Sequence, residues 1–221
     1  MYKVNEVFET IQGEGSYTGT PAVFVRLQEC PVGCSWCDTK HTWTVSPELQ
    51  QPLADIVAKQ AESESWAMST AEQLLQLFAQ QGYQARHVVI TGGEPCIYDL
   101  VPLCDLLHRH GYSTQIETSG TFEIKAPAST WVTVSPKVNM RGGYKVLDSA
   151  LARANEIKHP VAMDKHIDEL LQLLQRVDIT NKLIYLQPVS QQEKATRLAI
   201  AYCKKYNWRL SVQVHKYLGI S

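Results

Sequence analysis

The sequence predicts an α/β protein in which parallel strands form a partial, open TIM-like barrel with helices on the outside. Short apolar segments alternate with amphipathic segments along most of the chain, which is typical of parallel strands joined by right-handed helical crossovers. The pattern supports six or seven such strands, too few for a closed eight-stranded barrel. An open barrel is therefore favoured, and a doubly wound sheet is the alternative.

The predicted strands are short runs rich in β-branched and aromatic residues, and several end at glycine or proline. Helices are predicted where leucine and other apolar residues recur at helical spacing. Two of them begin with a capping box, Thr70 with Gln73 and Ser190 with Glu193. In chain order the predicted strands span 21–27, 87–91, 114–118, 131–135, 156–158, 183–187 and 210–214, and the predicted helices span 53–60, 99–110, 146–154, 165–176 and 190–206, with another starting at Thr70.

The length, composition and charge exclude several classes of protein. At 221 residues the chain is predicted to be one domain, residues 1–221, with an insertion at about 40–69. A hydrophobic content of 44% excludes a disordered chain, and a net charge of −1 gives no electrostatic reason to expect nucleic acid as a partner. The sequence has no apolar run near the roughly 18 residues of a membrane span and no signal-peptide pattern, so we expect a cytoplasmic protein without membrane contact.

Three of the six cysteines, Cys30, Cys34 and Cys37, lie within eight residues just after the first predicted strand. Soft thiolate ligands at this spacing favour zinc, copper(I) or an iron–sulfur cluster. A [4Fe–4S] cluster held by three cysteines would keep one iron free for another ligand. The alternative is a structural zinc site with His41 as the fourth ligand. The other cysteines and histidines carry no motif, and we expect Cys96, Cys104 and Cys203 to be buried and His87, His108, His110, His159 and His166 to lie at the surface.

The cysteine motif and a second segment resemble a known superfamily. Cys-x₃-Cys-x₂-Cys with Trp36 before the last cysteine, followed by Gly-Gly-Glu-Pro at residues 92–95, resembles the radical S-adenosylmethionine (SAM) superfamily. Within it, the chain is similar from Asn5 to Ser221 to the 7-carboxy-7-deazaguanine synthase family. The residues that carry this resemblance are Gln12-Gly13-Glu14-Gly15, Arg26, Cys37-Asp38-Thr39, Glu117-Thr118-Ser119-Gly120, Ser135-Pro136-Lys137, Gln187-Pro188 and His215.

The resemblance implies a radical SAM barrel and an enzyme, a carbon–nitrogen lyase of queuosine biosynthesis. Its reaction would be the ring contraction of 6-carboxy-5,6,7,8-tetrahydropterin to 7-carboxy-7-deazaguanine with loss of ammonia. The implied cofactors are a [4Fe–4S] cluster, SAM and Mg²⁺, and the implied partners are an electron donor such as flavodoxin or ferredoxin and a second copy of the chain in a homodimer. The alternatives are another radical SAM enzyme, such as a glycyl-radical activase, and a zinc-stabilised module without enzymatic activity.

The resemblance also assigns individual residues. Cys30, Cys34 and Cys37 would hold the cluster, and Thr39 would bind Mg²⁺, although a threonine there is otherwise a common helix or turn cap. The predicted SAM contacts are Trp36, Asp38, Gly93, Glu94, Glu117, Ser119, Ser135, Pro136, Lys137 and Gln187, any of which would otherwise cap a strand or cover the cluster. The predicted substrate contacts are Ile11, Gln12, Gly13, Glu14, Arg26, Thr91, His215 and the terminal carboxylate of Ser221.

Three of these assignments have explicit alternatives. A guanidinium on the first predicted strand needs an anionic partner if it is buried, so Arg26 binds either the substrate carboxylate or a structural acid. Either Glu94 or the backbone carbonyls beside it would receive the ammonium group of SAM. Asp38 would contact either SAM or the direct ligands of Mg²⁺, without binding the ion itself.

Overall fold

A computed structural model describes residues 1–59, 61–189 and 192–220, and its centre is one open, mostly parallel sheet. In the described residues the strands are β1 (Tyr2–Ile11), β2 (Pro21–Leu27), β3 (Ala67–Ser69), β4 (His87–Gly92), β5 (Ser113–Thr118), β6 (Trp131–Val134), β7 (Glu156–Val161), β8 (Leu183–Pro188) and β9 (Arg209–Leu210). Their order in space is β3-β1-β2-β4-β5-β6-β7-β8-β9. All pairs from β2 to β9 are parallel, whereas β1 runs antiparallel to both of its neighbours. The predicted open α/β fold is confirmed.

Helices cover the outside of this sheet and complete two apolar cores. The helices are α1 (Leu53–Val57), α2 (Ala71–Gln80), α3 (Val101–Arg109), α4 (Asp148–Arg153), α5 (Asp164–Leu174), α6 (Glu193–Tyr206) and α7 (Val214–Leu218). One core packs α2 and α3 against β1, β2, β4 and β5, and the other packs α4, α5 and α6 against β6, β7 and β8. Neither core covers the polar ends of the strands, and the candidate functional site lies at these ends. No helix of the described residues has the length and apolar character needed to span a bilayer.

The helix α2 begins with the predicted capping box. Thr70 Oγ1 accepts a hydrogen bond from the backbone N–H of Gln73 at 3.2 Å, and Gln73 Oε1 accepts one from the backbone N–H of Thr70 at 2.8 Å. These bonds satisfy donors that a helix N-terminus otherwise leaves free.

We therefore expect Thr70→Ala to lower the free energy of unfolding by about 1 kcal/mol, measured by urea denaturation. Thr70→Ser, which keeps the hydroxyl, should lose less than half of that, and equal losses in both variants would contradict the cap.

The structure corrects the sequence prediction in two places. The predicted strand 210–214 forms only as Arg209–Leu210, because the chain then crosses the mouth of the barrel and Val214 starts α7. The ten-residue strand β1 and the short strand β3 were not predicted, and both belong to the antiparallel edge. The capping box at Ser190 lies outside the described residues.

The segment 40–69 is attached to this antiparallel edge. It contributes β3, which pairs with the start of β1, and its Lys59 ammonium donates to the backbone oxygens of Asn5 and Ser65 at 2.8 and 2.7 Å. Asn5 itself is fully buried and donates through Nδ2 to the oxygens of Ser63 and Ser65. The segment therefore has fixed polar contacts with the sheet, although it lies outside the alternating strand and helix pattern.

Candidate active site

Three adjoining cavities open at the carboxyl ends of the parallel strands, where the resemblance placed the functional residues. The first has a volume of about 250 Å³ and the second about 230 Å³. The first is lined by nine of the ten predicted SAM contacts, namely Trp36, Asp38, Gly93, Glu94, Glu117, Ser119, Ser135, Lys137 and Gln187, together with Cys30, Cys34 and Cys37. The second is lined by all seven predicted substrate contacts within the described residues, Ile11, Gln12, Gly13, Glu14, Arg26, Thr91 and His215, and by Thr39. Ser221 lies outside the described residues.

The three cysteines of the loop after β2 face one cavity and are free thiols. Burial raises the pKa of Cys30 to about 11 and also raises the pKa of Cys34. A thiolate at these positions therefore needs a strong positive partner such as iron. The indole N–H of Trp43 donates to Cys37 Sγ at 3.4 Å and orients this thiol.

His41 is oriented toward acidic side chains. Its Nδ1 lies 3.5 Å from Glu62 Oε2 and its Nε2 lies 4.0 Å from Glu6 Oε1. Within the described ranges, no three His, Cys, Asp or Glu side chains are gathered as they would be around a single metal ion, and this holds for Cys30, Cys34 and Cys37 as well. The contacts of His41 thus give the zinc alternative no support.

The Gly-Gly-Glu segment at the end of β4 contacts the cysteine loop. A side chain at Gly93 would overlap the Glu29 carbonyl oxygen, and the N–H of Glu94 donates to that same oxygen at 2.8 Å. The buried Glu94 carboxylate accepts hydrogen bonds from the Thr118 hydroxyl at 2.6 Å, from the N–H groups of Ser119 and Cys96, and from the Ser119 hydroxyl. Because both carboxylate oxygens are engaged by the protein, the backbone carbonyls are the freer acceptors at this corner of the first cavity.

A buried ionic triad links the first and second cavities. Lys158, from the middle of β7, donates to Glu14 Oε2 at 2.6 Å and to Glu117 Oε2 at 2.9 Å. Burial opposes the charge of all three groups, but the carboxylates outweigh it at Lys158 and raise its pKa. At Glu14 the Lys158 ammonium outweighs burial and lowers the pKa to about 2, whereas at Glu117 burial dominates and raises the pKa to about 7. Lys158 was not predicted as a site residue.

Arg26 has a partner within the protein. Its Nε donates to Glu6 Oε2 at 2.6 Å, and its guanidinium lies 5.8 Å from the centre of the Phe8 ring. The pair with Glu6 is the structural ion pair that the sequence analysis gave as the alternative to binding the substrate carboxylate. The side chain still forms part of the wall of the second cavity.

The residues before and within α7 cover the second cavity. The N–H of Val214 donates to the Gly13 oxygen at 3.0 Å, and Gln213 Nε2 donates to Glu14 Oε1 at 2.9 Å. A side chain at Gly13 would overlap the His215 ring, so only glycine permits this approach. The contacts bring His215 beside Glu14 although 201 positions of sequence numbering separate them (215 − 14). Gln213 is a further residue that the sequence prediction missed.

A third, largely apolar cavity of about 150 Å³ continues the first one, with Trp36, Pro160 and Val189 common to both. Pro136, the remaining predicted SAM contact, lines this third cavity. So does His159, whose two ring nitrogens are buried without a hydrogen-bond partner and whose pKa is lowered by burial to about 3. The prediction of a surface position was wrong for His159 and also for His87, which is buried. Cys96, Cys104 and Cys203 are buried as predicted.

The chain is similar to known proteins over its whole length. Residues 11–125 match the family model described as "4Fe-4S single cluster domain". The chain is 58% identical to the 7-carboxy-7-deazaguanine synthase of Escherichia coli over 100% of both chains, and 34% identical to that of Synechocystis over 99% of this chain and 93% of the relative. The crystal structure of QueE from Escherichia coli superposes with a TM-score of 0.95 at 57% identity, covering 97% of this chain and 94% of that chain.

These similarities confirm the family that the motifs predicted. The identity is far above what a shared fold alone would give, and it extends over both the cysteine loop and the C-terminal segment. The solved neighbour also supports the partial radical SAM barrel. The chain therefore belongs to the 7-carboxy-7-deazaguanine synthase family and is an enzyme of the radical SAM type.

Proposed function

We propose that this chain catalyses the ring contraction of 6-carboxy-5,6,7,8-tetrahydropterin to 7-carboxy-7-deazaguanine with release of ammonia, a step of queuosine biosynthesis. The observation that carries the proposal is the pair of adjoining cavities. One is lined by three cysteines and the other by amide, carboxylate and imidazole groups suited to a pterin, and six residues line both: Glu14, Asp38, Thr39, Thr91, Glu117 and Gln213. A cofactor and a small substrate held in these cavities would be in contact.

The first and third cavities fit a [4Fe–4S] cluster with SAM. Three thiols face one space, and the buried Lys137 ammonium lies close enough to Cys34 to favour negative charge there. When bound, the cluster and SAM supply the electron and the 5′-deoxyadenosyl radical. Lys137 is held by Ser135 Oγ at 2.7 Å, and we assign both residues to the polar parts of SAM together with Asp38, Ser119 and Gln187.

The remaining SAM contacts are assigned by the chemistry of the cavity walls. We assign the ammonium group to the carbonyls beside Gly93 because the Glu94 carboxylate is already hydrogen-bonded on both oxygens. We assign the adenine to the apolar third cavity, between Trp36 and Pro136. Apolar walls of this kind suit a planar ring system and exclude water from the first cavity.

In the second cavity the protein orients the pterin. The Gln12 amide is fixed by accepting from the Glu14 N–H at 3.1 Å, and Glu14 is held by Lys158, Gln187 and Gln213. Such rigid polar groups at the rim match the donors and acceptors of an aminopyrimidinone. We assign the substrate carboxylate to the wall formed by Thr91, Arg26 and Thr39, with Arg26 acting from its ion pair with Glu6.

We further propose that flavodoxin or ferredoxin delivers the electron and that the chain acts as a homodimer. Both proposals are supported by the family membership. The Trp36 side of the cysteine loop is exposed to solvent, so a reduced carrier can approach within a short distance of the cysteines.

The decisive test is product formation by the whole enzyme. Anaerobically reconstituted protein is incubated with SAM, a reductant, Mg²⁺ and 6-carboxytetrahydropterin, and 7-carboxy-7-deazaguanine is sought by mass spectrometry. We expect product from the unchanged chain and from Cys203→Ala, a buried thiol far from the motif, and none from Cys34→Ala. Cleavage of SAM without product would mean another radical SAM reaction, such as glycyl-radical activation. A colourless protein with one zinc would mean a non-enzymatic module.

Thr39 is the proposed protein ligand of Mg²⁺. It follows the cysteine loop, its hydroxyl lies 3.6 Å from Cys37 Sγ, and it lines both principal cavities. Mg²⁺ keeps several waters and takes few protein ligands, so the loss of one oxygen should weaken binding by about tenfold, or 1.4 kcal/mol. We expect Thr39→Ala to need about tenfold more Mg²⁺ for half-maximal product formation, with SAM cleavage unchanged. Thr44→Ala, at an exposed position nearby, should titrate like the parent, and unaltered Mg²⁺ activation of Thr39→Ala would rule out the assignment.

A further inference from the structure

Glu117 occupies the boundary between the two principal cavities. It lies near the carboxyl end of β5, and its side chain lines both the cysteine cavity and the pterin cavity. Gln115 Nε2 donates to its Oε1 at 2.9 Å, and Lys158 donates to its Oε2. The carboxyl group is thus fixed by two donors and can reach a ligand in either cavity.

The buried charges around Glu117 do not balance. Three carboxylates, Glu14, Glu117 and Glu156, lie around the ammonium of Lys158, and a second ammonium, that of Lys137, interacts with Glu14 and Lys158. Glu14 receives the Lys158 ammonium and two amide donors, and Glu156 accepts the N–H of Ser16 at 2.9 Å. Full ionisation of these groups would leave the carboxylates in excess by about one negative charge, which a low-dielectric interior disfavours. A proton held by one of the carboxyls relieves this repulsion, as in other carboxylates that share a site.

The proposed reaction needs a group that moves a proton. Substrate and product differ by one molecule of ammonia, and the nitrogen that leaves is bonded to two ring carbons in the substrate. In the ring contraction one of these carbon–nitrogen bonds is replaced by a new carbon–carbon bond, and the hydrogen of the carboxyl-bearing carbon ends on the nitrogen, which becomes an amino group on that carbon. In the elimination that follows, the second carbon–nitrogen bond breaks and its electron pair leaves with the nitrogen. The departing amino group gains one proton, and a neighbouring ring carbon loses one proton as its C–H electron pair forms the double bond of the aromatic five-membered ring. The elimination consumes no net proton and needs no oxidant or reductant.

We propose that Glu117 is the catalytic acid–base residue of this elimination, donating its proton to the departing nitrogen and then accepting the proton released by the ring carbon. Lys158 and Gln115 act as positioning residues that hold the carboxyl group at the boundary of the two cavities. The proposal rests on the function proposed above and names the residue that completes it.

The electrostatics agree with this role. Burial first, and then the negative charges of Glu14 and Glu156, raise the pKa of Glu117 to about 7 despite the opposing Lys158. Glu156 and Lys158 act on it from β7 and Glu14 acts from the loop after β1, while Lys137, after β6, lines the first cavity with Glu117 and interacts with Glu14 and Lys158. His215 and His87, which reach Glu14 and Gln115, have lowered pKa values and are neutral near pH 7. A carboxylic acid that titrates near the working pH is suited to both giving and taking a proton.

The test compares Glu117→Gln with Glu156→Gln in the reconstituted enzyme. Both variants replace a buried carboxylate of the same cluster by an amide, but Glu156 does not line either principal cavity. For Glu117→Gln we expect kcat to fall on the order of a hundredfold or more with KM within about threefold of the parent. We expect Glu156→Gln to keep kcat within about threefold. In the parent, kcat should fall above about pH 7, and this limb should move to lower pH in Glu156→Gln because a neighbouring negative charge is removed.

A second measurement does not depend on turnover. Infrared difference spectra of the cofactor-free protein should contain a carboxylic-acid carbonyl band that disappears as the pH rises through about 7 and is absent from Glu117→Gln. A missing band in the parent, a rise in KM alone, or product formation by Glu117→Gln above about a third of the parent rate would each overturn the proposal. If the parent cleaves SAM but makes no 7-carboxy-7-deazaguanine, the proposed function itself fails, and the infrared result still reports whether Glu117 carries the proton.

Discussion

Replacing Lys158 with methionine is expected to lower the free energy of unfolding by about 3–5 kcal/mol at pH 8, with most of the loss recovered near pH 5. Lys158 is the cation that Glu14 and Glu117 share; it is buried, and both carboxylates are largely buried. Without it, burial raises the pKa of both carboxyls above their values in the unfolded chain. A group with a raised folded-state pKa supports the fold at low pH and loses that contribution as the pH rises, so the defect must grow between about pH 5 and pH 8.

Urea unfolding at the two pH values measures this effect, and two further variants control it. Adding Glu14→Gln to Lys158→Met removes one unpaired carboxylate and should restore a substantial part of the stability at pH 8. Lys165→Met removes an exposed lysine whose Nζ is 3.7 Å from Glu169, and it should change stability by less than about 0.5 kcal/mol at either pH. A loss in Lys158→Met that is equal at both pH values would indicate a packing defect and contradict the charge argument.

Most of the site could be predicted because parallel strands bring their carboxyl ends to one edge. Cys30, Thr91, Glu117 and Ser135 follow or end four neighbouring strands, β2, β4, β5 and β6. Once these strands were recognised, their terminal residues had to meet in space. The helices could also be predicted, because the Thr70 cap and the spacing of Leu74, Leu77 and Phe78 are local signals in the sequence.

The contacts that sequence reasoning missed join residues far apart along the chain. Lys158 lies 144 positions from Glu14, and on a short predicted strand it resembles an ordinary exposed lysine until its partner is known. The C-terminal residues behave in the same way, because Ser211 and Gln213 leave the strand pattern to hydrogen-bond with Gly15 and Glu14. No local periodicity encodes such pairings.

Residue type alone was also insufficient to define a role. Arg26 and Glu94 have the charges that a substrate or cofactor would need, yet each finds its main partners in the protein, Glu6 for the first and Thr118 and Ser119 for the second. Strand β1, which carries Glu6, was not predicted. A structural ion pair was therefore an alternative for Arg26, but its acidic partner could not be named. The roles of these two side chains therefore depend on their burial and hydrogen-bond partners, which only the structure shows.

Replacing Gly93 with alanine is expected to weaken cluster binding roughly five- to hundredfold, the equivalent of about 1–3 kcal/mol of overpacking. The added methyl group would overlap the Glu29 carbonyl oxygen, which also accepts the Glu94 N–H at 2.8 Å. Glu29 cannot easily move away, because it already has a positive φ of 88° and its side chain pairs with Lys3. The displacement must therefore pass to Cys30, the next residue and the first thiol of the proposed cluster loop.

Iron and sulfide content after anaerobic reconstitution at limiting iron measures this loss directly. Gly111→Ala is the matched control, since Gly111 has a positive φ of 79° but open space around its Cα. That variant should lose about 1–2 kcal/mol of stability from backbone strain and load iron like the parent. If Gly93→Ala binds iron normally while losing a similar amount of stability, the contact with Glu29 stabilises the fold without controlling the position of Cys30. Weak iron binding in Gly93→Ala alone means that the Gly-Gly-Glu segment sets the geometry of the cluster loop from the neighbouring strand.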